Sequence, residues 1–417
     1  MELTKTKKFI LGLQHAFTMF GATVLVPYLT GVPVNVALFA AGVATLIFHL
    51  ITKRKVPVFL GSSFAYIAPM IAVTLYYINQ GPTHYGSIQE AVNAGVDIVP
   101  MLAYATGGIF IAGLVKIGLG FLVKAIGVEK IVKLFPPVIS GTTILVIGII
   151  LSPTAVDMAS SNWTIALISL ATAIVVRLYT KGFPKIIPVI IGIIVGYIVS
   201  LIAGIVDLSG FGAAGWFAFP DFILPKFSLH AISLIVPVAL AAAVESIADV
   251  YAVSAVTGKK FYEDPGIDKT LIGDGIGTMI GGFVGGPANT TYSENTGVLA
   301  LTKVYDPIVM RIAAVFAIIL SFIPKVGYIV SSIPTAVMGG IEILLFGMIA
   351  SVGLKTLVDN KVNLDGKNLV IVSTMLVLSL GGATLTIGSF NLEGIGLAVI
   401  AGLILNAIFV LTKASDE

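Results

Sequence analysis

The stretch ANTTYSENTGVLALTK, residues 288–303, is polar, and it stands in a chain that is otherwise apolar. The segment before it, GDGIGTMIGGFVGGP (273–287), is glycine-rich, and another apolar run follows it. Backbone that is not helical is tolerated at membrane depth only where protein or water surrounds it. The stretch therefore predicts a short extended segment that turns into a half-helix inside a bundle. VPVFLGSSFAYIAP (56–69), in the first part of the chain, has the same character. Two interrupted segments at corresponding places are the sequence mark of a binding site near the midplane of a membrane protein. Their first-turn N–H groups, expected at Ser63, Phe64, Ser293 and Glu294, suit carbonyl oxygens of a ligand.

The composition agrees with a membrane setting. Of 417 residues, 57% are hydrophobic and only 11% are charged, against about a quarter charged in soluble proteins. A net charge of +3 is too small to indicate nucleic-acid binding. With no cysteine, the chain has no disulfide or thiol chemistry. MELTKTKKF runs straight into an apolar segment and reads as a retained first span. A crossing helix needs about 20 residues. Clear runs lie near 9–30, 34–52, 99–124, 134–152, 162–180, 185–206, 229–255, 306–324, 334–354, 367–383 and 394–412, with weaker ones at 61–77, 268–284 and 294–304. Together they make fourteen elements, all α apart from the two extended pieces. With the N-terminus inside, Lys53, Arg54, Lys55, Lys124, Lys130, Lys133, Arg177, Lys181, Lys185, Lys259, Lys260, Lys269, Lys303, Lys355, Lys361, Lys367 and Lys413 fall on internal loops; only Lys226 and Lys325 fall outside. That is the positive-inside bias of a multi-pass protein of the cytoplasmic membrane with both termini cytoplasmic.

The halves echo each other. PPVISGTTILVIG (136–148) resembles TAVMGGIEILLFG (335–347), an offset of 199 that pairs Thr143 with Glu342. Earlier the offset is near 230, which places Ser63 and Phe64 against Ser293 and Glu294. Seven elements per half is an odd number, so the second half enters from the opposite face. The expected fold is an inverted repeat.

Ionisable residues inside spans are costly and usually functional. In AAAVESIADVYA (241–252), Glu245 and Asp249 are four apart and share a helical face. Two carboxylates this close, with Glu294 near them, do not all ionise readily, which suits proton binding. Asp249 could instead pair with Lys259 or Lys260 at the helix end. Asp274 either ties the binding half-helix or sits at a helix end near Lys269. Glu342 either lines a path or makes a contact within the bundle. His15 could serve a site or bond between helices. His49, His84 and His230 are assigned nothing. No clustered metal spacing, phosphate loop, nucleophile or cofactor motif is present, so neither an enzyme nor ATP coupling is expected.

ENTGVLALTK (294–303) fits the signature of the nucleobase–ascorbate transporters: an acidic or amide residue, Asn, any residue, Gly, four residues, Thr, then a basic or small residue. LQHAFTMFGATVLVP (13–27), GSSFAYIAP (61–69) and NTTYSENTGV (289–298) resemble the uracil permease branch of that family. The resemblance spans essentially the whole chain. It implies fourteen segments in two inverted sevens, with short β-strands in segments 3 and 10. A core domain would take 9–125 and 229–325, and a gate domain 126–228 and 326–413, where a homodimer could form. It implies a proton-coupled symporter for a nucleobase, foremost uracil. Glu245 and Glu294 would hold substrate, Phe64 and Ser293 would offer backbone amides, and Tyr292 would flank them. Ser63 and Asp249 would complete the site, with Asn295, Asp274 and His15 supporting it. Glu245, Glu294 and Asp249 would carry the proton. Uracil permeases of the best-known type have His where this chain has Asp249. Xanthine and urate relatives have Asp there but usually Gln at the position of Glu294. Ser293 replaces the more usual Gly. A purine base, sodium coupling and a channel are the rival readings.

Overall fold

The computed structural model describes residues 4–127, 130, 136–387 and 390–412. The side chains of Ser293, Glu294, Ile387 and Phe390, and the residues Lys133 and Lys413 counted above, lie outside the described set. Helix α1 (Lys5–Thr30) starts earlier than its apolar run because the Thr4 side chain caps it, accepting from Lys7 N–H at 3.3 Å. It ends on Gly31 at φ 77°, a conformation glycine adopts without strain. α2 (Val34–Ile51) leads into strand β1 (Leu60–Ser62) and half-helix α3 (Phe64–Ile78). There follow α4 (Ile88–Asn93), α5 (Val99–Ile126) and α6 (Pro137–Ser160). α6 outruns the predicted end at 152 because Pro153 sits in the first turn of its last segment, where a missing N–H costs nothing. Next come α7 (Trp163–Tyr179), α8 (Pro188–Ile202) and α9 (Leu229–Thr257).

Beyond α10 (Ile267–Val284), strand β2 (Asn289–Thr291) opens into half-helix α11 (Ser293–Thr302). α12 (Ile308–Ser321) and α13 (Pro324–Ser331) meet at an 85° bend. The chain closes with α14 (Thr335–Asp359), α15 (Gly366–Leu380), the hairpin β3 (Thr384–Ile387) and β4 (Phe390–Glu393), and α16 (Gly394–Thr412). Among the described residues, seven helices are long and apolar enough to cross a membrane, eight if α12 and α13 form one bent span. Four shorter apolar helices, α3, α7, α8 and α15, accompany them.

The packing repeats when the halves are exchanged. α5 packs on α10 as α2 packs on α12; α6 packs on α15 as α14 packs on α7; α1 meets α8 as α9 meets α16. α6 and α14 pack on each other. β1 and β2 pair antiparallel, Leu60 opposite Thr291 and Ser62 opposite Asn289. The strands stand 229 residues apart, so Ser63 corresponds to Tyr292 and Phe64 to Ser293, one residue off the expected pairing. Helical periodicity on either side cannot resolve a one-residue slip; strand register can.

Small residues set the helix separations, as expected where close backbone approach holds a bundle together. A Cβ on Gly113 of α5 would lie 2.5 Å from the Met279 nitrogen and 2.7 Å from the Gly275 carbonyl oxygen of α10. Gly118 on the same helix has nothing within 4 Å. Gly113→Val is therefore expected to destabilise by about 1–3 kcal/mol, since the neighbour is backbone and cannot give way. Gly118→Val should leave the melting temperature of the purified protein near the parent value. Equal melting of the two variants would contradict this packing.

Candidate functional site

The crossed strands are where the two half-helices meet. Two strands cannot satisfy all their own outward-facing groups, and the neighbouring helices supply the rest. On one side Thr45 of α2 brackets β1: its Oγ1 accepts the Leu60 N–H at 2.9 Å and donates to the Leu60 carbonyl at 3.2 Å. On the other, Thr278 of α10 donates to the Asn289 carbonyl at 2.6 Å, and Asn289 Nδ2 donates to the Gly277 carbonyl at 3.2 Å. Ser62 Oγ donates to the Thr23 carbonyl at 3.2 Å. Each strand is thus held by the helix at the matching place in its own half.

Tyr292 N–H donates to the Phe59 carbonyl at 3.0 Å, and its hydroxyl donates to the Ser62 carbonyl at 2.9 Å. The ring lies over Gly61, where a Cβ would come within 2.5 Å of Tyr292 Cε2. Tyr292 is therefore a brace between the strands, buried to 3% exposure. The expectation of an open N–H at Ser63 is corrected: that group donates to the Ala288 carbonyl at 2.8 Å, extending the ladder by one rung. The open first turn of α3 begins at Phe64. Ser63 caps it in extended conformation without a side-chain hydrogen bond, and Tyr292 does the same for α11. Phe64 is 8% exposed, its ring edge-on to Phe346 of α14 at 6.4 Å.

Glu245 is half-buried on α9, a helix that touches both α3 and β2. Asp249, one turn on, does not pair with the lysines at the helix end. It accepts from Thr291 Oγ1 at 2.6 Å, which ties α9 to β2, while Lys260 pairs with Glu263 at 3.0 Å. Asn295 Nδ2 lies 3.3 Å from His15 Nδ1, so His15 links α1 to the start of α11. Asp274 is fully buried and pairs with Lys116 of α5 at 2.5 Å, with Ser246 and Thr290 beside it. Lys269, offered above as its neighbour, donates instead to the Pro265 carbonyl. Lys116 was not singled out from the sequence, although a cation in the middle of the apolar run 99–124 was a signal for it. Its Nζ also donates to Thr278 Oγ1 at 3.3 Å, one step from the strand.

The arrangement brings three kinds of polar and aromatic group to one place. Half-helix termini provide N–H donors, a carboxylate on α9 provides acceptors, and Phe64 provides an aromatic face. Residues 6–388 match the Permease family. The chain belongs to the nucleobase–ascorbate transporter family. It is 42% identical to the probable uracil permease of Pasteurella multocida over 99% of its own length and 96% of that protein's. It is 44% identical to the uracil permease of Bacillus caldolyticus, covering 89% of this chain and 84% of the other. Among solved structures, the murine Solute Carrier 26 family member A9 anion transporter superposes with a TM-score of 0.71 at 14% identity, over 99% of this chain and 69% of that one. The transmembrane domain of the cyanobacterial bicarbonate transporter BicA gives 0.63 at 16% identity, over 96% of each chain. These two share the fold. This family member is thus a multi-pass membrane transporter.

Two cavities open between the helices of the transporter. One of about 440 Å³ lies between α11 (Gly297, Val298, Leu301) and the side bearing Arg177 and Lys185. The other, of about 1160 Å³, reaches Tyr28, Glu90, Asp97, Asp157 and Thr335, and among the described residues no Lys, Arg or His lines it. The first thus carries basic side chains on its wall and the second acidic ones.

Proposed function

We propose that this protein is a proton-coupled symporter that imports uracil across the cytoplasmic membrane by alternating access. The observation that carries the reading is the convergence of two half-helices, through one shared pair of strands, opposite Glu245. Uracil has two ring N–H donors and two carbonyl acceptors. Glu245, with Glu294 as the family resemblance assigns it, accepts from the ring nitrogens. The backbone amides of Phe64 and Ser293 donate to the carbonyl oxygens, and the Phe64 ring covers the base. Relatives of about 40% identity named as uracil permeases support this choice of base.

The fourteen predicted elements then form fourteen segments, with both termini cytoplasmic. Residues 9–125 and 229–325 form a core carrying the site. Residues 126–228 and 326–413 form a gate, through which a homodimer assembles. The core slides against the gate to expose the site to either cavity in turn, with a proton on Glu245, Glu294 or Asp249 favouring the loaded form.

The test is calorimetric binding of uracil and xanthine at about pH 5.5 and about pH 8, with and without sodium, across the range where coupled carboxylates titrate. Uracil binding that tightens at the lower pH and ignores sodium is the expected result. Xanthine binding alone would mean that Asp249 outweighs Glu294 in choosing the base. Sodium dependence without pH dependence would replace the coupling ion.

A further inference from the structure

Glu342 lies on α14, outside the site described so far. It is fully buried, and neither carboxyl oxygen has a hydrogen-bond partner among the described residues. One turn further along the same face stands Phe346, whose ring meets Phe64. Two turns back on that face stands Thr335, which lines the larger cavity. Tyr28 of α1 closes the interval. Its hydroxyl lies 3.2 Å from both Thr335 Oγ1 and the Ile333 carbonyl, and Glu342 is within electrostatic reach of its ring. Glu342 therefore sits on the seam between the two helix sets, with the acidic cavity on one side and the Phe64 half-helix on the other. Its repeat partner Thr143 is likewise buried, with an unpartnered hydroxyl.

A carboxylate with no donor in such surroundings is far more costly than a neutral carboxylic acid. Among the described residues, the helices packed on α14 bring no cation beside it. α6 carries Asp157 at its outer end, α7 carries Arg177 at its opposite end, and α8 carries only Tyr197. Glu90 and Asp97, with Asp157, make the larger cavity attractive to protons.

We propose that Glu342 is a proton-binding site on the gate side of the seam, loaded from the acidic cavity through the Tyr28–Thr335 contact. The proposal rests on the symporter reading above and adds a carrier on the element facing the site. In the closed seam Glu342 holds its proton; when the seam parts, water reaches it and the proton leaves.

The experiment compares the wild-type protein with E342Q and E342D in liposomes under an imposed pH gradient, alongside infrared spectra of each purified protein. Glutamine keeps the shape and cannot exchange a proton. E342Q is expected to bind uracil within about threefold of wild type and to catalyse uracil exchange at equilibrium. It should lose concentrative uptake by at least about tenfold, along with the pH dependence of uptake, and E342D should recover part of both. The infrared band of protonated carboxyl groups should be weaker in E342Q at neutral pH, whichever base is carried. Concentrative uptake by E342Q equal to wild type, or an unchanged band, would overturn the proposal. Loss of uracil binding in E342Q with exchange abolished would overturn it too, making Glu342 a substrate ligand. A wild-type protein that binds no uracil would sink the substrate reading, while the infrared comparison would still decide Glu342.

Discussion

Replacing Glu245 with Gln is expected to weaken uracil binding by about 100-fold or more while the protein stays folded. A carboxylate that accepts ring N–H groups makes charge-assisted hydrogen bonds worth roughly 1.5–3 kcal/mol each. An amide in its place keeps one acceptor oxygen and turns an N–H toward a donor on the base. The loss of about 2.8 kcal/mol corresponds to two decades in Kd. Glu245 is only half-buried, so its exchange leaves the helix packing intact. Its neighbours on α9, Ala241, Ala242 and Ala243, pack without reference to its charge. Calorimetry with uracil, beside the melting temperature, separates binding from folding. Uracil affinity within threefold of wild type would remove Glu245 from the site.

Lys116→Met is expected to destabilise the protein by about 3–5 kcal/mol, because it leaves the Asp274 carboxylate buried without its cation. Both side chains are completely buried, and they join α5 to α10 at 2.5 Å. The effect should travel further. Lys116 also holds Thr278, Thr278 holds the Asn289 carbonyl, and β2 leads directly into α11. The doubly neutral variant K116M with D274N removes both charges together and should recover most of the lost stability, since replacing a buried pair entire is often close to neutral. Uracil affinity should remain below wild type in the double variant, because Thr278 has lost its anchor. A single K116M variant that melts like wild type would show that the pair carries no structural weight. A double variant no better than the single would show that the aspartate was not the partner left stranded.

The apolar runs, the charge bias of the loops and the two polar interruptions were all legible in the sequence. Hydrocarbon accepts only certain residues, so local composition alone marks where the chain leaves it. The acidic face of Glu245 and Asp249 was legible for the same reason, since a charge inside a span stands out against its surroundings. So was the extended character of 60–62 and 289–291, where glycine, serine and threonine displace the helix formers. What each polar group does was not legible. Asp249 serves Thr291, and His15 serves Asn295, 280 residues away. Lys116 reaches Thr278 across 162 residues. Ser63 spends its N–H on Ala288, and Glu342 is left between a cavity and the site. Those partnerships depend on which helices pass within hydrogen-bonding distance of one another. Glycine-to-backbone packing between elements far apart in the chain sets those distances, and no local pattern of residues encodes them.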